Sequence, residues 1–160
     1  MAIDLDEEWR AEPGSPPDSS VVGPVFGAYH TLRHRLELEM GVHGLDATAG
    51  IVLAVLLREP MCAPNTIHRR LGLHRSTVSS ILDRLEKSGW IVRPRSAFNG
   101  QRFELNLTRA GRLRADMADF VIRELEEEIA SHTSRRDRRA ALEVFYACAA
   151  IDQTERRSRA

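Results

Sequence analysis

At 160 residues the chain has the length of one domain with helical extensions, and 42% hydrophobic against 29% charged residues leaves enough apolar side chains for a core. Its 23 basic and 23 acidic residues cancel, which excludes a simple polycation that coats nucleic acid. Two cysteines 86 positions apart, Cys62 and Cys148, exclude a disulfide scaffold and a four-thiolate zinc site, and they fit a reducing, cytoplasmic setting.

The first 20 residues mix six acids with Pro13, Pro16, Pro17 and three serines, and are expected to form a disordered or loosely docked acidic arm. The acidic start also lacks the basic-then-apolar order of a secretory signal. From Val22 the apolar residues Val25, Phe26, Tyr29, Leu32, Leu36 and Met40 recur at three- and four-residue steps, which predicts a helix ended by Gly41 and Gly44. Asp46 is a suitable N-cap for a second helix that buries Ile51, Val52, Val55 and Leu56 and stops at Pro60. This helix holds the longest apolar run, Ala49 to Leu57, far short of the ~20 residues that span a bilayer, so no membrane partner is expected.

Pro64 opens a third, short helix that runs to Leu71, and Gly72 makes the turn. A fourth helix covers about Arg75 to Ser88, with Val78, Ile81, Leu82 and Leu85 on one face and Gly89 as its stop. The period then changes to two. Ile91-Val92-Arg93 and the alternating Phe103, Leu105 and Leu107 read as paired strands around an Asn99-Gly100 turn, with Arg93, Arg95 and Arg102 on the rim. Thr108 caps a long fifth helix whose Leu113, Met117, Phe120, Leu125 and Ile129 are spaced like a coiled-coil seam. Ser134 and Asp137 form a capping-box-like start for a sixth, with the stripe Leu142, Phe145, Cys148 and Ile151.

Charge is unevenly placed along these elements. Residues 58–114 hold twelve bases and four acids, net +8, whereas residues 1–20 and 115–133 each hold six acids and one base, net −5. The basic middle coincides with two short helices, a tight turn and a basic hairpin. That order describes a mainly α fold with a small β-hairpin wing, a winged helix-turn-helix flanked by N- and C-terminal helices. A helix fits the major groove with its N-terminal residues against base edges. Arg75, Ser76, Thr77, Ser79 and Ser80 lie on the polar side of the fourth helix, with Arg84 further along and His74 just before it. Arg93, Arg95 and Arg102 suit phosphates or the minor groove.

The stretches Gly44-Leu45-Asp46-Ala47-Thr48, Leu71-Gly72-Leu73-His74-Arg75-Ser76-Thr77-Val78, Leu82 to Ile91 (LDRLEKSGWI) and Leu107-Thr108-Arg109-Ala110-Gly111 resemble the MarR family of bacterial winged-helix transcriptional regulators. The resemblance covers about residues 25–155. It implies a homodimer, with residues 21–44 as an N-terminal dimerisation helix, 45–112 as the winged helix-turn-helix and 113–160 as C-terminal dimerisation helices. It further implies a repressor on a pseudo-palindromic double-stranded operator, the recognition helices meeting major grooves roughly 34 Å apart. Where the family's wing carries Asp-x-Arg, this chain has Asn99, Gly100 and Gln101, and Arg102 sits one place later. Loss of that pattern favours the alternative, a winged-helix protein-interaction module without DNA binding.

The resemblance also implies a small aromatic or phenolic effector near Tyr29, His30 and His34. The two histidines are four apart, but nothing nearby in sequence supplies a third ligand, so no metal is expected. Peroxide-sensing relatives place a cysteine at the start of the first helix, where this chain has none. With no Gly-x-Ser-x-Gly elbow, phosphate loop, paired cysteines or His-Glu-x-x-His helix, neither catalytic residues nor a cofactor are expected.

Overall fold

The computed structural model describes residues 20–94 and 104–158, with side chains to Ile151. The acidic arm up to Ser19 and the hairpin tip, with Arg95, Asn99, Gly100, Arg102 and Phe103, lie outside the described residues. The elements follow the order α1 (Val22–Gly41), α2 (Ala47–Arg58), α3 (Pro64–Leu71), α4 (Arg75–Lys87), β1 (Ile91–Val92), β2 (Asn106–Leu107), α5 (Arg109–His132) and α6 (Arg135–Ser158). The chain divides into two units, residues 1–34 and 35–160. In the first, the Phe26 and Tyr29 rings each meet His30 edge-on, with centroids 4.5 and 5.5 Å apart.

In the second unit the helix boundaries follow local chemistry. Asp46 accepts from the Ala49 N–H at 2.8 Å and so satisfies one of the orphan donors at the start of α2. Pro64 occupies the first turn of α3, where a missing N–H costs nothing. Gly72 and Gly89 close α3 and α4 with φ of 63° and 71°, a conformation that a Cβ disfavours. Thr108 caps α5 by accepting from the Gly111 N–H at 3.0 Å, while its hydroxyl donates to the Gly89 carbonyl at 2.7 Å. One threonine thus ties the end of α4 to the start of α5.

The core is a single apolar cluster. Leu53 and Leu56 of α2, Ile67 of α3, Val78, Ile81, Leu82 and Leu85 of α4, Ile91 of β1, Leu105, and Ala115 and Ala118 of α5 all face it. The α4 stripe is the one its spacing predicts. In α2 the phase differs slightly: Val52 and Leu56 are buried, Ile51 and Val55 are half-buried, and Leu53 is the side chain most deeply enclosed. A nearly all-apolar helix has no polar face to fix its rotation from sequence.

Among the described residues the paired strands span only two residues each. β1 and β2 pair antiparallel in the register Ile91↔Leu107 and Val92↔Asn106. Pro94 has no N–H to continue the ladder, although its carbonyl accepts from the Glu104 N–H at 3.0 Å. Leu105 instead bridges to Cys62, whose carbonyl accepts from the Leu105 N–H at 3.0 Å, and so stitches the wing to the turn between α2 and α3.

The expected seams of α5 and α6 do not point into this core. Small residues of α5, Gly111, Ala115 and Ala118, are its buried ones, together with Asp119. Leu113 and Phe120 of α5 are exposed, as are Leu142, Phe145, Tyr146, Cys148 and Ile151 of α6.

Candidate nucleic-acid interface

The fourth helix is anchored from behind and open in front. Its four apolar residues, Val78, Ile81, Leu82 and Leu85, are each at most 5% exposed. Arg75, Ser76, Thr77, Ser79, Ser80 and Arg84 are all exposed, as their spacing predicts. Burying four apolar side chains contributes on the order of 6–12 kcal/mol, so the outer face is presented on a helix that does not roll. Ser76, Ser79, Ser80, Asp83, Arg84 and Lys87 line one open groove of about 430 Å³ along this face. Hydroxyls and cations on such a ridge can donate to phosphate oxygens and to acceptors on base edges.

The start of α4 is less firmly fixed than that of α2. His74 occupies the N-cap position in extended conformation, without a side-chain capping hydrogen bond. The preceding turn has its own lock, because the His68 ring reaches from α3 to the Leu73 carbonyl through Nδ1. Arg75 makes no ion pair among the described residues, so its guanidinium is free to reach outward. Pro64, Asn65, His68, Arg75, Val78, Ser79, Leu82 and Arg93 line a cavity of about 320 Å³ on the other flank of α4.

Several arginines of the +8 segment are committed within the fold. Arg84 pairs with Asp46 at 2.8 Å, and Arg70 pairs with Glu59. Arg93 is folded back onto α4, where Nη2 reaches Asp83 at 2.7 Å and Nε reaches Glu86 at 2.9 Å. That hydrogen bond to Arg93 holds the Glu86 carboxyl below the usual carboxylate range. Arg93 thus sits at the wing's base, tied to acids. Asp83 and Glu86 are the residues that the sequence reading passed over, although their i, i+3 spacing puts both within reach of one cation.

The candidate ligand residues Tyr29, His30 and His34 all belong to the first unit. In the second unit a cavity of about 350 Å³ between the end of α1 and α5 is lined by Leu36, Phe120, Val121 and Leu125, with Arg35, Glu39, Glu124 and Glu128 around them. Among the described residues no cluster of three or more metal-ligating side chains is present, and no helix is long and apolar enough to cross a membrane. Cys62 is half-buried, and burial pushes its thiol up, away from the reactive thiolate.

Two short helices around a left-handed glycine turn, with the second exposing a polar ridge and leading into a two-stranded wing, make this a winged helix-turn-helix protein. Residues 43–102, from just before α2 into the wing, match the model of the MarR family. Over that stretch the chain is therefore similar to MarR-family proteins. Among solved structures, S. aureus MepR in its DNA-binding conformation superposes with a TM-score of 0.71 at 18% identity, over 82% of this chain and 98% of that one. The S. aureus MepR–DNA complex gives 0.70 at 18% identity, with the same 82% and 98%. A Mycobacterium tuberculosis MarR-family protein in complex with salicylic acid gives 0.59 at 20% identity, again over 82% and 98%. No curated protein sequence matches the chain.

Proposed function

We propose that this chain is a homodimeric, sequence-specific regulator that represses transcription in the bacterial cytoplasm by binding a pseudo-palindromic operator. The observation that carries the reading is α4. An apolar stripe roots it in the core, and Arg75, Ser76, Thr77, Ser79 and Ser80 stand outward on its N-terminal half. Arg75 and the serines are the base-reading candidates. His74, Arg84 and the wing cations Arg95 and Arg102 are candidates for phosphate contacts. The exposed apolar stripe of α6, with Leu142, Phe145 and Ile151, supplies a surface that a second copy covers. The S. aureus MepR–DNA complex and the salicylic acid complex of the M. tuberculosis protein support DNA and a small aromatic effector as partners.

An effector acts here only through unequal affinity for the DNA-compatible and incompatible spacings of the two recognition helices. The deciding experiment is fluorescence anisotropy of the purified protein, across a salt series, on duplexes from its own upstream region and against selected random-sequence DNA. Specific binding whose logarithm falls linearly with the logarithm of salt supports the reading. No binding to any selected duplex removes it and leaves the protein-interaction module.

A further inference from the structure

The polar ridge of α4 contains an acid where a DNA-binding surface has least use for one. Asp83 lies one turn beyond Ser79 and Ser80 and shares their groove, with Lys87 a further turn on. Glu86 follows three residues later, exposed. Left alone, these carboxylates would oppose the approach of phosphates by like-charge repulsion. They are not left alone. The Arg93 guanidinium lies across both, through Nη2 to Asp83 Oδ1 at 2.7 Å and Nε to Glu86 Oε2 at 2.9 Å, with Nη2 also meeting Glu86.

The backbone places this guanidinium. Ile91, two residues earlier, is paired to Leu107 and buried, so the strand delivers Arg93 to the flank of α4 rather than to the outer edge of the wing. Its side chain is only 24% exposed, against 57% for Arg70 and 58% for Arg84. The fork spends Nε and Nη2 on the two carboxylates, which leaves only the two N–H groups of Nη1 and fixes the direction in which they point. To swing out, it would uncover two acids at the surface the duplex approaches.

We infer that Arg93 is a positioning residue that shields Asp83 and Glu86, and so keeps the recognition ridge open to DNA, and that it makes no phosphate contact of its own. This rests on the DNA-binding reading of α4. The test is anisotropy on a duplex selected by the wild type, with R93A, R93K, D83N/E86Q and the triple variant R93A/D83N/E86Q. Shielding gives roughly tenfold weaker binding for R93A, an intermediate loss for R93K, and unimpaired binding for D83N/E86Q. The triple variant returns to within about twofold of wild type, because its acids are gone.

A direct phosphate contact gives the opposite result and overturns the inference. R93A and the triple variant would then be equally weak, and the salt slope of each would drop by about 0.9. Weak binding by D83N/E86Q would also overturn it, since the acids would then be contacts themselves. A readout without DNA separates this failure from failure of the wider reading. In the free protein the Glu86 carboxyl, followed by NMR, titrates at higher pH in R93A than in wild type. An unchanged Glu86 titration sinks the shield alone. A normal shift in a protein that binds no selected duplex sinks the DNA reading, and with it the shield's purpose.

Discussion

Arg58, the last residue of α2, meets Asp119 of α5 through both Nε and Nη2 at 2.8 Å, across 61 residues of sequence. Asp119 is 8% exposed and is the one buried charged residue among those described. Its other oxygen pairs with Arg123 at 3.0 Å, one turn on. Both carboxylate oxygens therefore have a cationic donor, which is the condition under which a buried carboxylate is tolerated. Asp119→Ala leaves Arg58 half in solvent, whereas Arg58→Ala leaves the buried acid with Arg123 alone. Each is expected to lower stability by about 1–3 kcal/mol. Urea denaturation of the two single variants and the double variant checks it: losses that simply add would show that the pair is not coupled.

Close approach is also built from missing side chains. A Cβ on Gly111 would stand 1.7 Å from the Trp90 carbonyl oxygen, a backbone atom held by its hydrogen bond from the Thr108 N–H. A Cβ on Gly50 would meet Met40 Sδ at 2.2 Å, and a thioether can turn aside. Gly111→Ala is therefore expected to cost at least ~3 kcal/mol and Gly50→Ala about 1–2 kcal/mol. Thermal melts should rank them in that order, and equal melting temperatures would contradict the argument.

The physical origin of these pairs marks where sequence reading stops. The N-caps Asp46 and Thr108, the glycine stops after α3 and α4 and the buried stripe of α4 are local, so spacing and residue type reveal them. Contacts such as Arg58–Asp119, Gly111–Trp90 and Cys62–Leu105 join distant positions, and no local pattern encodes them. The ridge of α4 was legible for the same local reason. What it carries electrically was not, because the formal charge of Arg93 gives no hint that Asp83 and Glu86 consume it.

The start of α6 is expected to respond to acid. The Ser134 hydroxyl donates to Asp137 Oδ2 at 2.6 Å, the Ser134 N–H donates to the same oxygen at 3.0 Å, and the Asp137 N–H donates back to Ser134 Oγ at 3.1 Å. The two bonds from Ser134, with Arg138 nearby, hold the Asp137 carboxyl below its ordinary value. A depressed folded pKa gives stability that is complete above the unfolded pKa and is lost as pH falls through the folded one. Helicity followed by far-UV circular dichroism should therefore decline on acidification with a component that Asp137→Asn removes. An identical acid profile in the variant would assign that loss to other carboxylates.

Base reading by α4 can be separated from simple charge. Arg75 stands at the first turn without an ion pair among the described residues, while Lys87 stands at the last turn, on the groove that Ser76 and Ser80 also line. Arg75→Ala should weaken the specific duplex by ~1–3 kcal/mol and relax the preference at one base position. Lys87→Ala should weaken all sequences alike and lower the salt slope by about 0.9. Competition against duplexes substituted one base pair at a time distinguishes the two, and sequence-independent loss in Arg75→Ala would demote it to a phosphate contact.

Assembly should depend on α6 far more than on the winged helix. Phe145 and Tyr146 are 45% and 72% exposed and Ile151 is 66% exposed, on a helix of 24 residues that buries none of its described side chains within the chain. An exposed apolar stripe in water carries a cost that a second copy would relieve, at about 25 cal/mol for each Å² covered. Phe145→Glu places a charge in the middle of the stripe and is expected to shift the protein from dimer to monomer in sedimentation equilibrium at micromolar concentration. Its α4 and core are untouched, so the monomer should retain weak, non-specific DNA binding while losing the gain that two linked half-sites provide. A Phe145→Glu variant that remains dimeric would move the interface to another surface, and wild type that sediments as a monomer would overturn the homodimer itself.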